Sequence, residues 1–177
     1  MTSQTTSQPI DRARIAELTA IEQLRLDQRT TASKVMYAQA NQHLSGGVAS
    51  SYQGRDPWPI YIDRGEGPKI WDIDGTEYYD FHNGFGSMVQ GHAHPAIGAA
   101  VAARYPLGTH FGCAVPDSVI VADHLAQRWG LPKWRFTNSG SESTMDAIRI
   151  ARAFTGRDTV MKIFGSYHGH HDTVMVS

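Results

Sequence analysis

The sequence predicts an α/β protein in which a small antiparallel meander is followed by the start of a mostly parallel sheet. Three observations carry this prediction. Between residues 60 and 81, three short runs rich in Ile, Tyr, Trp and Phe are separated by turn residues. Further on, two apolar runs, KWRFTN and TVMKIF, bracket a helix-compatible stretch within about thirty residues, the span of a parallel βαβ unit. Hydrophobic residues make up 41% of the 177, enough apolar surface for a core.

In chain order, residues 1–10 are polar Ser, Thr and Gln without periodicity and are expected to lack fixed structure. Asp11 reads as the N-cap of a helical stretch reaching about His43. Ile15, Leu18, Ile21 and Leu24 recur every three residues, a break is expected near Thr30 and Thr31, and Gly46 and Gly47 end the stretch. The runs IYID, KIWDID and EYYDF read as strands, with Arg-Gly-Glu-Gly and Asp74-Gly75 as the turns between them. Gly84, Gly86 and Gly91 mark an irregular stretch leading into GHAHP, after which Pro95 to Tyr105 favours a helix. Asp117 is the expected cap of a helix running to Trp129 and closed by Gly130. KWRFTN should be a strand with Trp134 and Phe136 on one face, Ser141 to Phe154 a helix stopped by Gly156, and TVMKIF and the terminal TVMVS further strands.

Composition changes near residues 105–116. The expected organisation is therefore a start and N-terminal helix over 1–45, a first domain portion over 46–109 and a second beginning at 110. A parallel sheet covered on both faces needs more elements than these, so the sequence reads as part of a longer chain.

Sixteen basic against seventeen acidic residues give a net charge of −1, which offers no field to recruit nucleic acid or an anionic membrane. The single cysteine, Cys113, excludes an intrachain disulfide and a multi-cysteine zinc site. No apolar run approaches the roughly 20 residues of a membrane span. A reducing, cytoplasmic setting and a small-molecule ligand are expected.

Two stretches carry chemistry. Asn138-Ser139-Gly140-Ser141-Glu142-Ser143 lies where a strand is expected to end and a helix to begin. There, free N–H groups and the helix dipole attract an anion, Gly140 permits close approach, and Ser139 or Ser141 adds a hydroxyl; an ordinary helix cap uses the same residues. It is neither a P-loop nor a dinucleotide fingerprint, since the required Lys and glycine spacing are missing. Gly165-Ser166-Tyr167-His168-Gly169-His170-His171-Asp172 ends the next strand and should face the same crevice. Tyr167 there either stacks on a planar ring or covers a sheet edge. The histidines supply a rival reading: His168 to Thr173 is one residue short of a His-x-His-x-Asp-His zinc-hydrolase pattern, with His92-Ala93-His94 as a further pair.

Taken in order, HLSGGVASS, GEGPKIWDIDGTEYYDF, GHAHPAI and RFTNSGSESTMDAIRIARAFTGRDTVMKIFGSYHGHHD resemble the class III aminotransferases, especially the branch similar to glutamate-1-semialdehyde 2,1-aminomutase. The resemblance implies fold type I of the PLP-dependent transferases, a homodimer and pyridoxal 5'-phosphate. Ser139, Gly140 and Ser141 match the family's phosphate-cradling turn, Tyr167 the aromatic that covers the pyridine ring, and His168 an adjacent pocket residue. Residues 46–104 then help form the smaller domain and the active-site mouth, and the large domain starts near residue 110.

The implied activity moves an amino group between an amine or amino acid and a carbonyl acceptor. An aminomutase is the alternative within the family; a zinc hydrolase or a phosphate-ligand binding module stands outside it. Ser50 matches a pocket serine, whereas Gln53 stands where the aminomutase branch has a carboxylate-clamping arginine and Phe85 where it has a tryptophan, leaving Arg55 as a nearby cation. The family's Schiff-base lysine and the carboxylate that pairs with the pyridinium nitrogen fall beyond the matched segments. Lys34, Lys69, Lys133 and Lys162 match neither, so no catalytic residue is assigned within these 177 positions.

Overall fold

The computed structural model describes residues 10–175, so nearly all of the polar N-terminal stretch lies outside the described residues. The chain divides into two compact units between Thr109 and His110.

In the first unit, α1 (Arg12–Arg29) starts where the Asp11 carboxylate accepts the amide of Arg14 at 3.0 Å. It stops at Thr30, whose φ of −125° breaks the helix before α2 (Thr31–Ala40). The spacing-by-three residues of α1 stay exposed, and among the described residues α1 buries none. β1 (Ile62–Glu66), β2 (Lys69–Asp72) and β3 (Glu77–Tyr79) form the antiparallel meander, in the order β1-β2-β3.

The first turn lies later than the sequence suggests. Arg64, Gly65 and Glu66 pair with Trp71, Ile70 and Lys69, and the reversal falls at Gly67-Pro68, with Gly67 at φ 52°. Cross-strand contacts outweigh the turn propensity of Arg-Gly-Glu-Gly: the Arg64 guanidinium stacks 3.7 Å above the Trp71 ring, and an irregularity between Ile62 and Arg64 adjusts the register. After the single turn α3 (Asn83–Gly86), α4 (Pro95–Arg104) begins with Pro95, and the His94 ring nitrogen accepts the amide of Ala96 at 3.3 Å.

Polar contacts hold these pieces together. Among the described residues of this unit, the fully buried side chains are Thr30 and Ser33, with Asp72 almost so. Thr30 makes no side-chain cap for α2. Asp74, on the β2–β3 turn, supplies it instead: its carboxylate accepts the amide of Ala32 at 2.6 Å, the amide of Ser33 at 3.0 Å and the hydroxyl of Ser33 at 2.6 Å. Asp72 shapes that turn, accepting the amides of Asp74 at 3.1 Å and Thr76 at 2.8 Å and the hydroxyl of Tyr78 at 2.7 Å.

The second unit holds α5 (Pro116–Trp129) and α6 (Gly140–Thr155), closed by Gly130 and Gly156 in the left-handed conformation. Asp117 is not the cap of α5. Val115 occupies that position, Pro116 fills the first helical site, where its missing N–H is no loss, and Asp117 sits in the first turn, where the helix dipole favours a carboxylate. KWRFTN and TVMKIF flank α6 as expected, but neither is a strand here, and no strand occurs among the described residues of this unit. An apolar run becomes a strand only when a neighbour takes up its N–H and C=O groups, and neither run pairs with the other. TVMVS also departs from expectation as far as it is described: Thr173 and Val174 lie in a turn, with the Val174 amide donating to the His171 carbonyl at 3.0 Å. No helix among the described residues is long and apolar enough to cross a membrane.

Burial pushes the Asp74 pKa up, but the hydroxyl of Ser33, the amides of Ala32 and Ser33 and the Thr31 side chain together hold it below the ordinary carboxylate value. The folded state therefore binds this proton less readily than the unfolded chain. Asp74 contributes stability that is present above about pH 4 and is lost as pH falls through its lowered folded-state pKa. Asp74→Ala is expected to destabilise the protein by about 1 to 2 kcal/mol at neutral pH, and by much less near pH 3. Denaturant titrations of both proteins at the two pH values measure the difference, and an equal loss at both would count against a carboxylate cap.

Candidate active site

α6 starts with an ordered set of polar contacts. The Ser139 hydroxyl oxygen accepts the amide of Glu142 at 3.2 Å, and the Glu142 carboxylate turns back to accept the amide of Asn138 at 2.6 Å, a variant of the capping box. Thr137 and Ser143 join hydroxyls across the turn at 2.5 Å. The amides of Gly140 and Ser141 meet no acceptor among the described residues, and a Cβ added at Gly140 would meet nothing within 4 Å. Two N–H groups at the positive end of a helix are thus left without an acceptor among the described residues.

The loop over residues 165–172 lies against this helix start. Thr144, one turn into α6, donates to the His168 carbonyl at 2.7 Å, with His171 Nε2 3.2 Å from the same hydroxyl. The Ser141 hydroxyl oxygen accepts the amide of His170 at 2.9 Å. Gly169, at φ 111°, makes the approach possible: a Cβ there would come within 2.8 Å of the Ser141 Cα. The helix start at Gly140 and Ser141 and the backbone of residues 168–170 are therefore neighbours, joined by Thr144, which the sequence reading did not single out. Tyr167 itself is 78% exposed, with no strand among the described residues of this unit for it to cover; the His168 ring lies 3.0 Å from the Ser166 hydroxyl.

Ser50 and Phe85 belong to the first unit. Ser50 opens the single turn Ser51–Gln53, and its amide donates to the Gln53 side-chain oxygen at 3.2 Å, so Gln53 is occupied in capping its own loop. Arg55 donates from one guanidinium nitrogen to the carbonyls of Tyr52 at 2.8 Å and Gly54 at 2.6 Å. Phe85, at φ 59°, packs against Tyr52 with ring centres 4.6 Å apart and edge-on against His82 at 4.3 Å, while the Tyr52 hydroxyl lies 3.1 Å from His82 Nε2. Tyr52 and His82 sit some thirty positions apart, and no motif spacing announces their contact.

The zinc reading asked for clustered histidines. Among the described residues no three His, Cys, Asp or Glu side chains gather as a ligand set. His92 pairs with Asp80, His94 caps α4 and His171 faces Thr144. The described lysines are likewise engaged or apart from this turn: Lys34 meets Asp27 and Trp58, Lys69 meets Glu77, and Lys162 donates to the Val174 carbonyl.

A model of the family described as aminotransferase class-III matches residues 50–177. The chain belongs to the class-III aminotransferases. It is 40% identical over 146 residues to the glutamate-1-semialdehyde 2,1-aminomutase of Archaeoglobus fulgidus, a match covering 81% of this chain and 35% of that one. Among solved structures it resembles a transaminase with PLP bound, at 39% identity and a TM-score of 0.78 over 82% of this chain and 34% of the other. It also resembles a β-phenylalanine aminotransferase from Variovorax paradoxus, at 30% identity and a TM-score of 0.84 over 88% and 36%. The fold is that of the fold type I PLP-dependent transferases, enzymes whose cofactor is pyridoxal 5'-phosphate. The chain spans about a third of the length of these relatives.

In this class-III chain the docking of loop 165–172 depends on the absence of a side chain at Gly169. Gly169→Ala is expected to loosen the loop and expose the amide of His170, raising its hydrogen-exchange rate about tenfold or more. Gly140→Ala, in open space, should leave that rate unchanged. Equal exchange in both variants would show that the loop is held by other contacts.

Proposed function

We propose that these residues are the N-terminal part of a PLP-dependent aminotransferase that moves an amino group between an amine or amino acid and a carbonyl acceptor. The observation that supports it is the start of α6: two amides without an acceptor, open space above Gly140, and the Tyr167 loop fastened alongside. This arrangement suits a phosphorylated planar ring. The Gly140 and Ser141 amides would hold the phosphate. The Ser141 hydroxyl, which accepts from His170, keeps its own proton for a phosphate oxygen. Tyr167 presents an exposed aromatic face for the pyridine ring, and the His168 carbonyl anchors the loop to Thr144. When bound, the cofactor supplies an electron sink for the amine-bearing carbon. The lysine amine that the chemistry needs is proposed to come from the part of the family that this chain does not span.

In this reading residues 46–109 contribute the smaller domain and the active-site mouth, residues 110–177 begin the large cofactor-binding domain, and the complete protein is a cytoplasmic homodimer. Ser50 and Phe85 line the substrate side. Amino transfer is favoured over the aminomutase because Gln53 stands in place of a carboxylate-binding arginine and is spent on the Ser50 amide, while Arg55 turns to backbone carbonyls. The aminomutase remains the second reading, supported by the 40% identity to such an enzyme.

Two outcomes follow from this reading. Gly140→Val would fill the open space above the helix start and is expected to cost on the order of 2 kcal/mol in PLP affinity, measured by absorbance titration, while leaving the melting temperature of the cofactor-free protein nearly unchanged. Unaltered affinity would make the turn a helix cap and nothing more. The full-length enzyme should transfer amino groups from amines and β-amino acids to a keto acid at least about 30-fold more efficiently than it isomerises glutamate-1-semialdehyde, the typical effect of losing one bidentate charged contact. Efficient isomerisation without external transfer would establish the aminomutase instead.

A further inference from the structure

The chain between Asp80 and Ala93 is strained. Asn83, Phe85 and Ala93 hold φ values of 52°, 59° and 52°, in the left-handed region that side chains avoid. Such conformations persist only where the surroundings over-determine them. Burial in an apolar core does not do so: Phe81, Phe85 and Val89 are 97%, 74% and 73% exposed.

Polar contacts at the two ends do. One carboxylate oxygen of Asp80 accepts the amides of His82 at 3.0 Å and Asn83 at 2.9 Å, and the other meets His92 Nε2 at 2.7 Å. His92 is in turn fastened to the β1–β2 reversal. Its amide donates to the Gly67 carbonyl at 2.8 Å, its carbonyl accepts the Gly67 amide at 2.9 Å, and its ring lies where a Cβ on Gly65 would come within 2.6 Å of it. The first and last residues of the loop are therefore tied to each other and to the meander. The His92 contact and then the Asn83 amide hold the Asp80 pKa below the ordinary carboxylate value, so the acceptor stays charged.

We propose that Asp80 and His92 form a clasp that closes loop 81–91 and thereby positions Phe85, so that the pair sets which amino donors the substrate pocket accepts. The linkage is continuous: Asp80 holds the His82 amide, the His82 ring meets Phe85 edge-on, and both rings pack on Tyr52. Asp80 and His92 are positioning residues. The proposal rests on the reading of Phe85 as a pocket residue, and the test separates the two.

In the full-length enzyme, Asp80→Ala and His92→Gln are expected to raise KM for the amino donor about tenfold, with kcat changing less than about threefold, and to speed hydrogen exchange across residues 82–91. Both should narrow the preference between bulky and small donors in the same direction as Phe85→Ala. Asp80→Asn keeps the amide bonds through its carbonyl and can donate to the imidazole, and it should restore most of the KM. Unfolding of Asp80→Ala would not decide the matter, since His92→Gln carries the same readouts. Donor preference unchanged in Phe85→Ala would remove the pocket reading. Altered preference in Phe85→Ala beside unchanged KM and exchange in the clasp variants would overturn the clasp itself.

Discussion

The first unit is organised by one carboxylate acting across more than forty residues of chain. Asp74 closes the N-terminus of α2 through Ala32 and Ser33, and because it sits on the β2–β3 turn it joins the helical start of the chain to the meander. The buried groups around it are polar, so what holds them is directional. The Ser33 hydroxyl donates a hydrogen bond to Asp74 and accepts the amide of Tyr61 at 3.4 Å, while Thr30 accepts the Trp58 indole N–H at 3.0 Å. The Tyr61 hydroxyl then reaches the Gly47 carbonyl at 2.7 Å. The Ser50–Gln53 turn lies between Gly47 and Trp58, and these two anchors hang it from the same node. An apolar core of similar size would tolerate sliding; hydrogen bonds near 3 Å do not.

What the sequence made legible follows from how local the determinants are. The helix break at Thr30, the starts at Asp11 and Pro95 and the stops at Gly130 and Gly156 depend on one or two residues each, and all appear where the pattern places them. The meander was legible as three runs but not in its first turn, because the strand status of Arg64 to Glu66 is decided by partners on β2 that no local propensity contains. KWRFTN and TVMKIF fail as strands for the same reason, read from the other side: their apolar pattern states a preference, and pairing decides the outcome. At the site, the nearness of residues 139–141 to residues 165–172 was expected from two parallel strands; it is present without them. The contacts that enforce it, Thr144 to His168 and Ser141 to His170, were not legible, since a threonine inside a helix carries no distinguishing mark. His92 stood out only beside His94 as a metal-ligand pair, and its pairing with Asp80 was not legible because it spans a strained loop rather than a regular element.

The two kinds of recognition proposed for this chain would leave different traces. A phosphate held by backbone amides at a helix start requires little of the side chains beyond small size and a hydroxyl, and the short string Ser139-Gly140-Ser141 meets that requirement. Such a string is common, which is why the family became legible only when it was read with its long flanks. In the same reading, substrate selection would work the other way, through side chains such as Gln53, Arg55 and Phe85 on loops whose shape is set elsewhere. Gln53 illustrates the consequence. As a letter in the sequence it is an uncharged residue where the resemblance implies an arginine; in the structure its side chain caps its own turn. An arginine at this position would therefore remove a cap as well as add a cation. At Gln53 a substitution would change the side chain and the cap of its own turn together, so the two effects need separate readouts.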